Sequence, residues 1–234
     1  MLWGLRPLQP KAAYGLAVDL IQRQIHSGLL LPEERLPAER QLSDDFGISR
    51  VTLREALRVL ETSGYITVRR GAQGGAFVVN DDCLQQLAQR RMARAPAEAM
   101  RVLEYLTVNL VAAAGYAAVR RGPADLKKLR EALHMMRDAT NAPLRTQAET
   151  LFLLALADAA QSHLLARGIE EALAELFLPF ETAAQVESVA QAMSLYICLF
   201  DALKDENPSK SATAMAELNE RFWDLIRKTS RSAL

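Results

Sequence analysis

The stretch between Arg35 and Arg58 most constrains what this chain can fold into, because it joins two short helical patterns through one sharp break. The break is centred on Gly47, and Ser49 follows it closely. Serine is a residue type that caps a helix, since its hydroxyl accepts a bond from an otherwise unpaired backbone N–H. The second helical pattern then presents arginines at one-turn spacing, beginning with Arg50. This arrangement predicts a helix-turn-helix with an arginine-lined second helix, a form that places side chains in a DNA groove.

Two runs of β-branched and aromatic residues follow the helix-turn-helix. They are Tyr65–Arg70 and Ala76–Val79, and the glycine-rich stretch Gly71–Gly75 separates them. Two such runs around a glycine-rich turn predict a β-hairpin. A further helical pattern precedes the helix-turn-helix and stops at Gly28. Three helices followed by a hairpin predict a winged helix-turn-helix.

The chain beyond Asp82 shows only helical periodicity, and several segments are apolar nearly all round, such as Leu151 to Leu156. Helices of that kind need to be surrounded by other helices. We therefore predict a mainly α chain with two domains, a winged helix at residues 1–80 and an all-α bundle of about seven helices at residues 81–234. The predicted helices of the bundle are Cys83–Ala93, Ala97–Arg121, Ala124–Thr140, Leu144–Gln161, His163–Phe177, Ala183–Lys204 and Ser209–Lys228.

The charge of the chain is balanced overall but uneven along its length. The 234 residues have a formal net charge of zero, so composition alone does not indicate a nucleic-acid partner. Between Arg50 and Arg70, however, five arginines stand against two glutamates. This local basic patch is the kind of surface that binding to phosphates requires.

Cysteine usage and hydropathy point to the interior of the cell. Cys83 and Cys198 are far apart and form no CxxC pattern, so we interpret both as reduced thiols. We find no apolar run of membrane length and no N-terminal pattern of a signal peptide. We expect a cytoplasmic protein without a membrane partner.

The pattern from Gly28 to Val79 resembles the winged-helix domain of the GntR family of bacterial transcription regulators. The resemblance lies in turn glycines, apolar positions and charged residues at matching spacings. These residues are Leu36, Pro37, Ala38, Glu39, Arg40, Leu42, Gly47, Ile48, Ser49, Arg50, Leu53, Arg54, Glu55, Ala56, Leu57, Leu60, Gly64, Tyr65, Ile66, Gly71 and Gly75–Val78. The helical remainder is similar to the FCD-type domain of the FadR branch, around Phe152–Leu165 and Tyr196–Leu203.

The resemblance implies double-stranded operator DNA as the partner, with contacts in the helix-turn-helix and at the wing tip. The implied DNA-contact residues are Arg40, Ser49, Arg50, Thr52, Arg54, Arg70 and Gly71. The chemistry agrees, because arginine can bind guanine O6 and N7 together, and hydroxyls at a helix N-terminus can hold a phosphate. We interpret Arg58 and Arg69 as ordinary surface charges.

Many FCD domains bind a metal through an aspartate and three histidines, and the resemblance locates these positions in this chain. They fall on Glu149, Leu153, Tyr196 and, approximately, Leu218. Leucine offers no ligand atom to zinc or a similar ion. The histidines of the chain lie elsewhere, at His26, His134 and His163. We therefore predict no metal site and no cofactor.

Without a metal, the corresponding cavity would have a largely apolar lining. We predict that its residues are Met100, Arg101, Glu149, Leu153, Tyr196 and Leu218. Such a lining suits a small apolar or amphipathic effector, or a space filled by the protein's own side chains. The first alternative predicts an effector-controlled regulator, and the second predicts a constitutive regulator whose helical domain only dimerises.

The function predicted from these features is a DNA-binding transcription regulator, acting as a homodimer and most simply as a repressor. A homodimer is expected because one recognition helix reads few base pairs. An enzyme is disfavoured, since the sequence shows no acid/base pair, no cysteine–histidine arrangement and no lysine motif for pyridoxal phosphate.

Overall fold

The computed structural model describes residues 13–71, 74–177 and 186–232. The predicted N-terminal arm Met1–Pro10, two residues of the glycine-rich turn and the predicted helix start at Ala183 lie outside these ranges. Within them the chain forms ten α-helices and one two-stranded antiparallel sheet. The chain is therefore mainly α, as predicted.

The first part of the chain is a winged helix-turn-helix, which confirms the prediction. Its elements are α1 Ala13–His26, α2 Glu39–Phe46, α3 Arg50–Thr62, β1 Ile66–Arg69 and β2 Gly75–Val78. In the hairpin, Ile66 pairs with Val78, and Arg69 pairs with Gly75. One isolated bridge was not predicted, in which Arg35 pairs with Phe77 on the other side of β2.

The turn between α2 and α3 depends on Gly47. Its φ of 62° lies in the left-handed region, which glycine adopts without the steric cost of a Cβ atom. Its backbone N–H closes the end of α2 by donating to the carbonyl of Asp44. This turn sets the angle at which α3 leaves α2.

The second part of the chain consists of seven helices within the described residues, which agrees with the predicted bundle. They are α4 Asp81–Arg94, α5 Pro96–Arg120, α6 Pro123–Asp138, α7 Ala142–Ala159, α8 His163–Leu176, α9 Val186–Lys204 and α10 Pro208–Ser232.

Helix α5 lies at the centre of the bundle and contacts α4, α7, α8, α9 and α10. Its buried face includes Leu103, Leu106 and Leu110, each fully buried. By length and composition alone α5 would also be apolar enough to cross a membrane, which was not expected from the sequence. It packs against five helices of the bundle, and a core helix passes the same test of length and composition.

Two hydrophobic clusters form the interior, one in each part of the chain. The first holds Ile25, Leu53 and Leu60 of the winged helix, and the second is built around α5 and α7. Helix α4 joins them, because Leu84 belongs to the first cluster and Met92 to the second. Helix α4 therefore packs into both hydrophobic clusters and links the winged helix to the bundle.

Candidate nucleic-acid interface

Helix α3 presents opposite faces to the core and to the outside. Leu53 and Leu60 are fully buried beneath it. The hydroxyl of Ser49 accepts a hydrogen bond from the backbone N–H of Thr52 at 3.1 Å and lies 2.8 Å from the hydroxyl of Thr52. This N-cap fixes the start of α3, and Arg50 in its first turn is exposed.

The arginines of the helix-turn-helix differ in their partners. The Nε of Arg54 donates to a carboxylate oxygen of Glu39 at 2.9 Å, which ties α3 to α2. That bond uses one of the five N–H donors of the guanidinium and leaves its terminal amino groups free to bind another acceptor. Arg40 and Arg50 are exposed and form no ion pair within the described part of the chain. Both are therefore available to a ligand.

An exposed arginine and two glycines flank the tip of the wing. Arg70 follows β1 directly and is exposed. Gly71 has a φ of 109°, and its carbonyl accepts a hydrogen bond from the N–H of Gly74 at 2.9 Å. All seven residues predicted to contact DNA thus lie in the winged helix, on or next to α2, α3 and the hairpin. Their contact with DNA stays a prediction.

The positions predicted for an effector are divided between the core and the surface. Leu153 and Leu218 are each 1% exposed, and Tyr196 is equally buried in the same hydrophobic cluster. The ring of Tyr196 meets that of Phe152 edge to face at a centroid distance of 5.0 Å. The structure thus brings three predicted positions into one packed region.

The other predicted effector positions lie nearer to solvent. Met100 and Arg101 are exposed near the start of α5, and Arg101 is paired with Glu98. Glu149 on α7 is partly exposed. Among the described residues, no three His, Cys, Asp or Glu side chains are grouped closely enough to hold a metal. Effector binding and the absence of a metal both stay predictions.

A contact between the two domains, not predicted from the sequence, is built around His26 at the end of α1. Its Nδ1 lies 3.0 Å from the carbonyl oxygen of Ala174, and its Nε2 lies 3.0 Å from the hydroxyl of Tyr65. A carbonyl can only accept, so Nδ1 is the protonated nitrogen and Nε2 accepts from Tyr65. The imidazole also stacks on Phe177, with a centroid distance of 4.1 Å. We name these four residues the His26 joint.

The electrostatics of the His26 joint favour neutral side chains. Burial lowers the pKa of His26 from 6.5 to about 4, and the nearby positive charge of Arg91 acts in the same direction. Burial also raises the pKa of Tyr65 above its ordinary value. Sequence alone offers no signal for this joint, because a single histidine has many possible surroundings.

Backbone groups following α1 reinforce the contact between the domains. The hydroxyl of Thr150 donates to the carbonyl of Ser27 at 2.6 Å, and the amide of Gln147 donates to the carbonyl of Leu29 at 3.0 Å. Both donors belong to α7 of the helical domain. The end of α1 is therefore held by α7 and α8 together.

Two family models match the chain, one for each part of the structure. The model for bacterial regulatory proteins of the gntR family matches residues 13–78, and the FCD domain model matches residues 97–221. The chain belongs to the GntR family of transcriptional regulators and has an FCD domain, which confirms the family that the resemblance indicated.

Several curated relatives are similar over much of the chain. A candidate HTH-type transcriptional regulator of Mycobacterium gastri, RmpR, is 32% identical over 216 residues, which is 89% of this chain and 78% of that protein. The Exu regulon transcriptional regulator of Escherichia coli (strain K12) is 36% identical over 125 residues, 52% of this chain and 46% of the relative. LutR of Bacillus subtilis (strain 168) is 31% identical over 145 residues, 60% of this chain and 65% of the relative. These relatives are transcription regulators and not enzymes, as predicted for this chain.

Solved structures share the fold. Escherichia coli McbR/YncC aligns with a TM-score of 0.52 at 20% identity, covering 93% of this chain and 98% of that one. A GntR regulator candidate from Rhodococcus sp. RHA1 aligns with a TM-score of 0.51 at 18% identity, covering 93% and 99%. At such identities the likeness establishes the fold alone.

Proposed function

We propose that this regulator binds operator DNA by placing α3 in the major groove, with Arg50 and Arg54 reading base edges. This proposal is supported by the exposure and the hydrogen bonding of the two side chains. Arg50 is exposed without an ion-pair partner among the described residues, and Arg54 is oriented by one bond to Glu39. Each guanidinium keeps paired N–H donors that fit O6 and N7 of guanine, a contact worth about 1–3 kcal/mol of discrimination.

The remaining predicted contacts have supporting roles in this proposal. Ser49 and Thr52 lie at the N-terminus of α3, where backbone N–H groups favour an anion such as a phosphate. Arg40 supplies a further exposed positive charge, and Arg70 beside Gly71 extends the surface onto the wing. These residues would position the protein on the duplex while α3 reads its bases.

We further propose that the protein acts as a cytoplasmic homodimer and represses transcription by occupying its operator. Residues 1–80 would form the DNA-binding unit, and residues 81–234 would dimerise and bind the effector. GntR regulators bind operator DNA and commonly act as dimers. A two-fold dimer presents two copies of α3 to half-sites about one helical turn apart, which supplies the specificity that a single helix lacks.

For the helical domain we propose control by a small apolar or amphipathic effector, bound without a metal. The support comes from the side chains at the positions where other FCD domains hold a metal. Two of these positions are Leu153 and Leu218 in this chain, and leucine offers no ligand atom. Tyr196 and Glu149 would supply polar atoms to the ligand, with Met100 and Arg101 nearer the surface.

A specific observation favours a second candidate, a constitutive regulator that senses no ligand. The side chains of Leu153, Tyr196 and Leu218 are each only 1% exposed and belong to the hydrophobic cluster of the helical domain. In that case the helical domain serves only dimerisation. The two candidates differ in whether any small molecule stabilises the protein or changes its affinity for DNA.

A thermal-shift screen with fatty acyl-CoAs, organic acids and sugar acids separates the two candidates. An effector-controlled regulator is expected to unfold at a higher temperature with an amphipathic ligand that also changes operator affinity. If no ligand raises the unfolding temperature or changes operator affinity, the constitutive candidate is supported. Stoichiometric Zn, Ni or Mn after purification without added metal would contradict the metal-free proposal.

The DNA-binding proposal is tested by Arg50→Ala, measured in a gel-shift titration with the operator duplex. In the proposed dimer the variant loses one bidentate base contact in each protomer, and each loss should lower operator affinity by about 1–3 kcal/mol, or roughly five- to 150-fold. Arg130→Ala is the matched control, because Arg130 is an exposed arginine on α6, outside the winged helix. Wild-type affinity and specificity in Arg50→Ala would defeat the assignment.

A further inference from the structure

The ring of Phe77 on β2 contacts two arginines from different segments of the winged helix. The guanidinium carbon of Arg69 lies 4.4 Å from the ring centroid, and that of Arg35 lies 5.9 Å from it. Both distances fall within about 6 Å, the range over which an aromatic face attracts a cation. Stacking limits the freedom of a long side chain, so both guanidinium groups are partly ordered before any ligand binds.

Arg35 is held by further contacts with the wing. Its backbone pairs with that of Phe77, and its terminal amino group donates to the carbonyl of Gly74 at 2.6 Å. Gly75 makes this position possible, since a Cβ atom there would lie only 2.9 Å from the Nε of Arg35. The glycine at this position thus leaves room for an arginine against the wing.

The charges of Arg35 and Arg69 are not neutralised by the protein. Neither forms an ion pair within the described ranges, and both are exposed. Two neighbouring arginines behave differently, because Arg54 is paired with Glu39 and Arg58 with Glu55. The wing therefore presents two ordered cations that lack counter-charges.

Both cations line a groove of about 330 Å³ between α3 and the wing. The groove also contains two carboxylates, and each has a partner. Glu39 accepts from Arg54, and Glu61 accepts from the backbone N–H of Val68 at 3.0 Å. Four arginines line the groove against these two carboxylates, so the net charge facing the groove is positive and suits an anionic backbone.

We propose that Arg35 and Arg69 bind phosphate groups of a DNA strand that follows the groove between α3 and the wing. This inference rests on the proposed function and adds two contacts to it. It also revises the interpretation of Arg69 as an ordinary surface charge. Phosphates are the same at every base pair, so this pair of arginines contributes affinity and register, while the choice of sequence stays with α3.

The test is the salt dependence of DNA binding by the full chain, measured on an operator duplex and on a duplex of unrelated sequence. Each phosphate contact contributes about 0.9 to the slope of log affinity against log salt concentration. Arg35→Gln and Arg69→Gln should each lower the slope by about 0.9 per bound protomer on both duplexes. Arg35→Lys and Arg69→Lys should keep most of the slope, because the charge remains.

Arg130→Gln is the matched control, since Arg130 is an exposed arginine 5.7 Å from the ring centroid of Phe200 in the helical domain. For Arg130→Gln, the slope of log affinity against log salt concentration should equal that of the wild type. If the wild type binds neither duplex, the proposed function itself fails. If the wild type binds and the glutamine variants keep its slope, only the role of Arg35 and Arg69 is overturned. It is also overturned if the lysine variants lose as much slope as the glutamine variants, which would indicate damage to the wing.

Discussion

Replacing Leu153 by alanine is expected to lower the free energy of unfolding by about 2–5 kcal/mol. The side chain is 1% exposed and belongs to the large hydrophobic cluster of the helical domain. Its removal loses the free energy gained by transferring several carbon atoms out of water. It also leaves a cavity that the surrounding helices close only in part. The position is also one at which the family resemblance expects a metal ligand, so the experiment asks whether leucine here is structural.

Urea unfolding measures this loss, and Leu164→Ala is the matched control. Leu164 lies on α8 and is 70% exposed, so its truncation should change stability by no more than about 0.5 kcal/mol. A cost for Leu153→Ala as small as that of the control would contradict the packed interior. It would favour an open cavity at this position and hence the effector-controlled candidate.

Acidification from pH 7 to pH 5 is expected to lower the free energy of unfolding by about 2 kcal/mol through His26 alone. In the folded protein, Nδ1 of His26 donates to Ala174 and Nε2 accepts from Tyr65, so a second proton on Nε2 would require the hydroxyl of Tyr65 to rotate and accept instead of donate. Burial and the positive charge of Arg91 also disfavour protonation of His26 and lower its pKa to about 4. Arg91 is itself paired with Glu175 at 2.7 Å.

The direction of this effect follows from the two pKa values. The ordinary pKa of a histidine, which applies to the unfolded chain, is 6.5, and the pKa of His26 in the folded chain is about 4. Between these values the unfolded chain binds a proton that the folded chain does not, so stability rises with pH. The contribution of His26 is complete above pH 6.5 and is lost as the pH falls towards 4, for a total of about 3 kcal/mol.

The measurement is urea unfolding at pH 7 and pH 5 for the wild type and His26→Gln. Carboxylates also titrate in this range, so the difference between the two proteins isolates the histidine. The glutamine variant should lose about 2 kcal/mol less than the wild type on acidification. His134→Gln is the control, because it makes the same substitution at an exposed histidine on α6, away from the joint. Equal pH dependence in the wild type and His26→Gln would contradict the buried, neutral state of the joint.

The parts of the fold that depend on local sequence could be predicted well. Gly47 and Ser49 marked the turn and the start of α3, because their preferences act on their immediate neighbours. The helix predicted at His163–Phe177 is observed at His163–Leu176. Apolar periodicity and breaks at proline and glycine locate elements of this kind without knowledge of their partners.

Contacts between distant parts of the chain could not be predicted. His26 and Ala174 are 148 residues apart, and neither belongs to a pattern that indicates the other. Arg35 and Phe77 likewise meet through a single bridge with no periodic signal. In the helical domain the resemblance located Leu153 and Met100, but composition could not show that one is buried and the other exposed. Both lie on helices rich in apolar residues, where tertiary packing decides the buried side.

Selection from a random library of DNA duplexes by the full chain tests most directly whether α3 reads DNA as part of a two-fold dimer. The wild type is predicted to enrich an inverted repeat whose half-site centres lie about 10–10.5 base pairs, or a multiple of one turn, apart. Under the same conditions Arg50→Ala should enrich that repeat weakly or not at all. Failure of the wild type to enrich any sequence would contradict the claim, as would equal enrichment of the same repeat by Arg50→Ala.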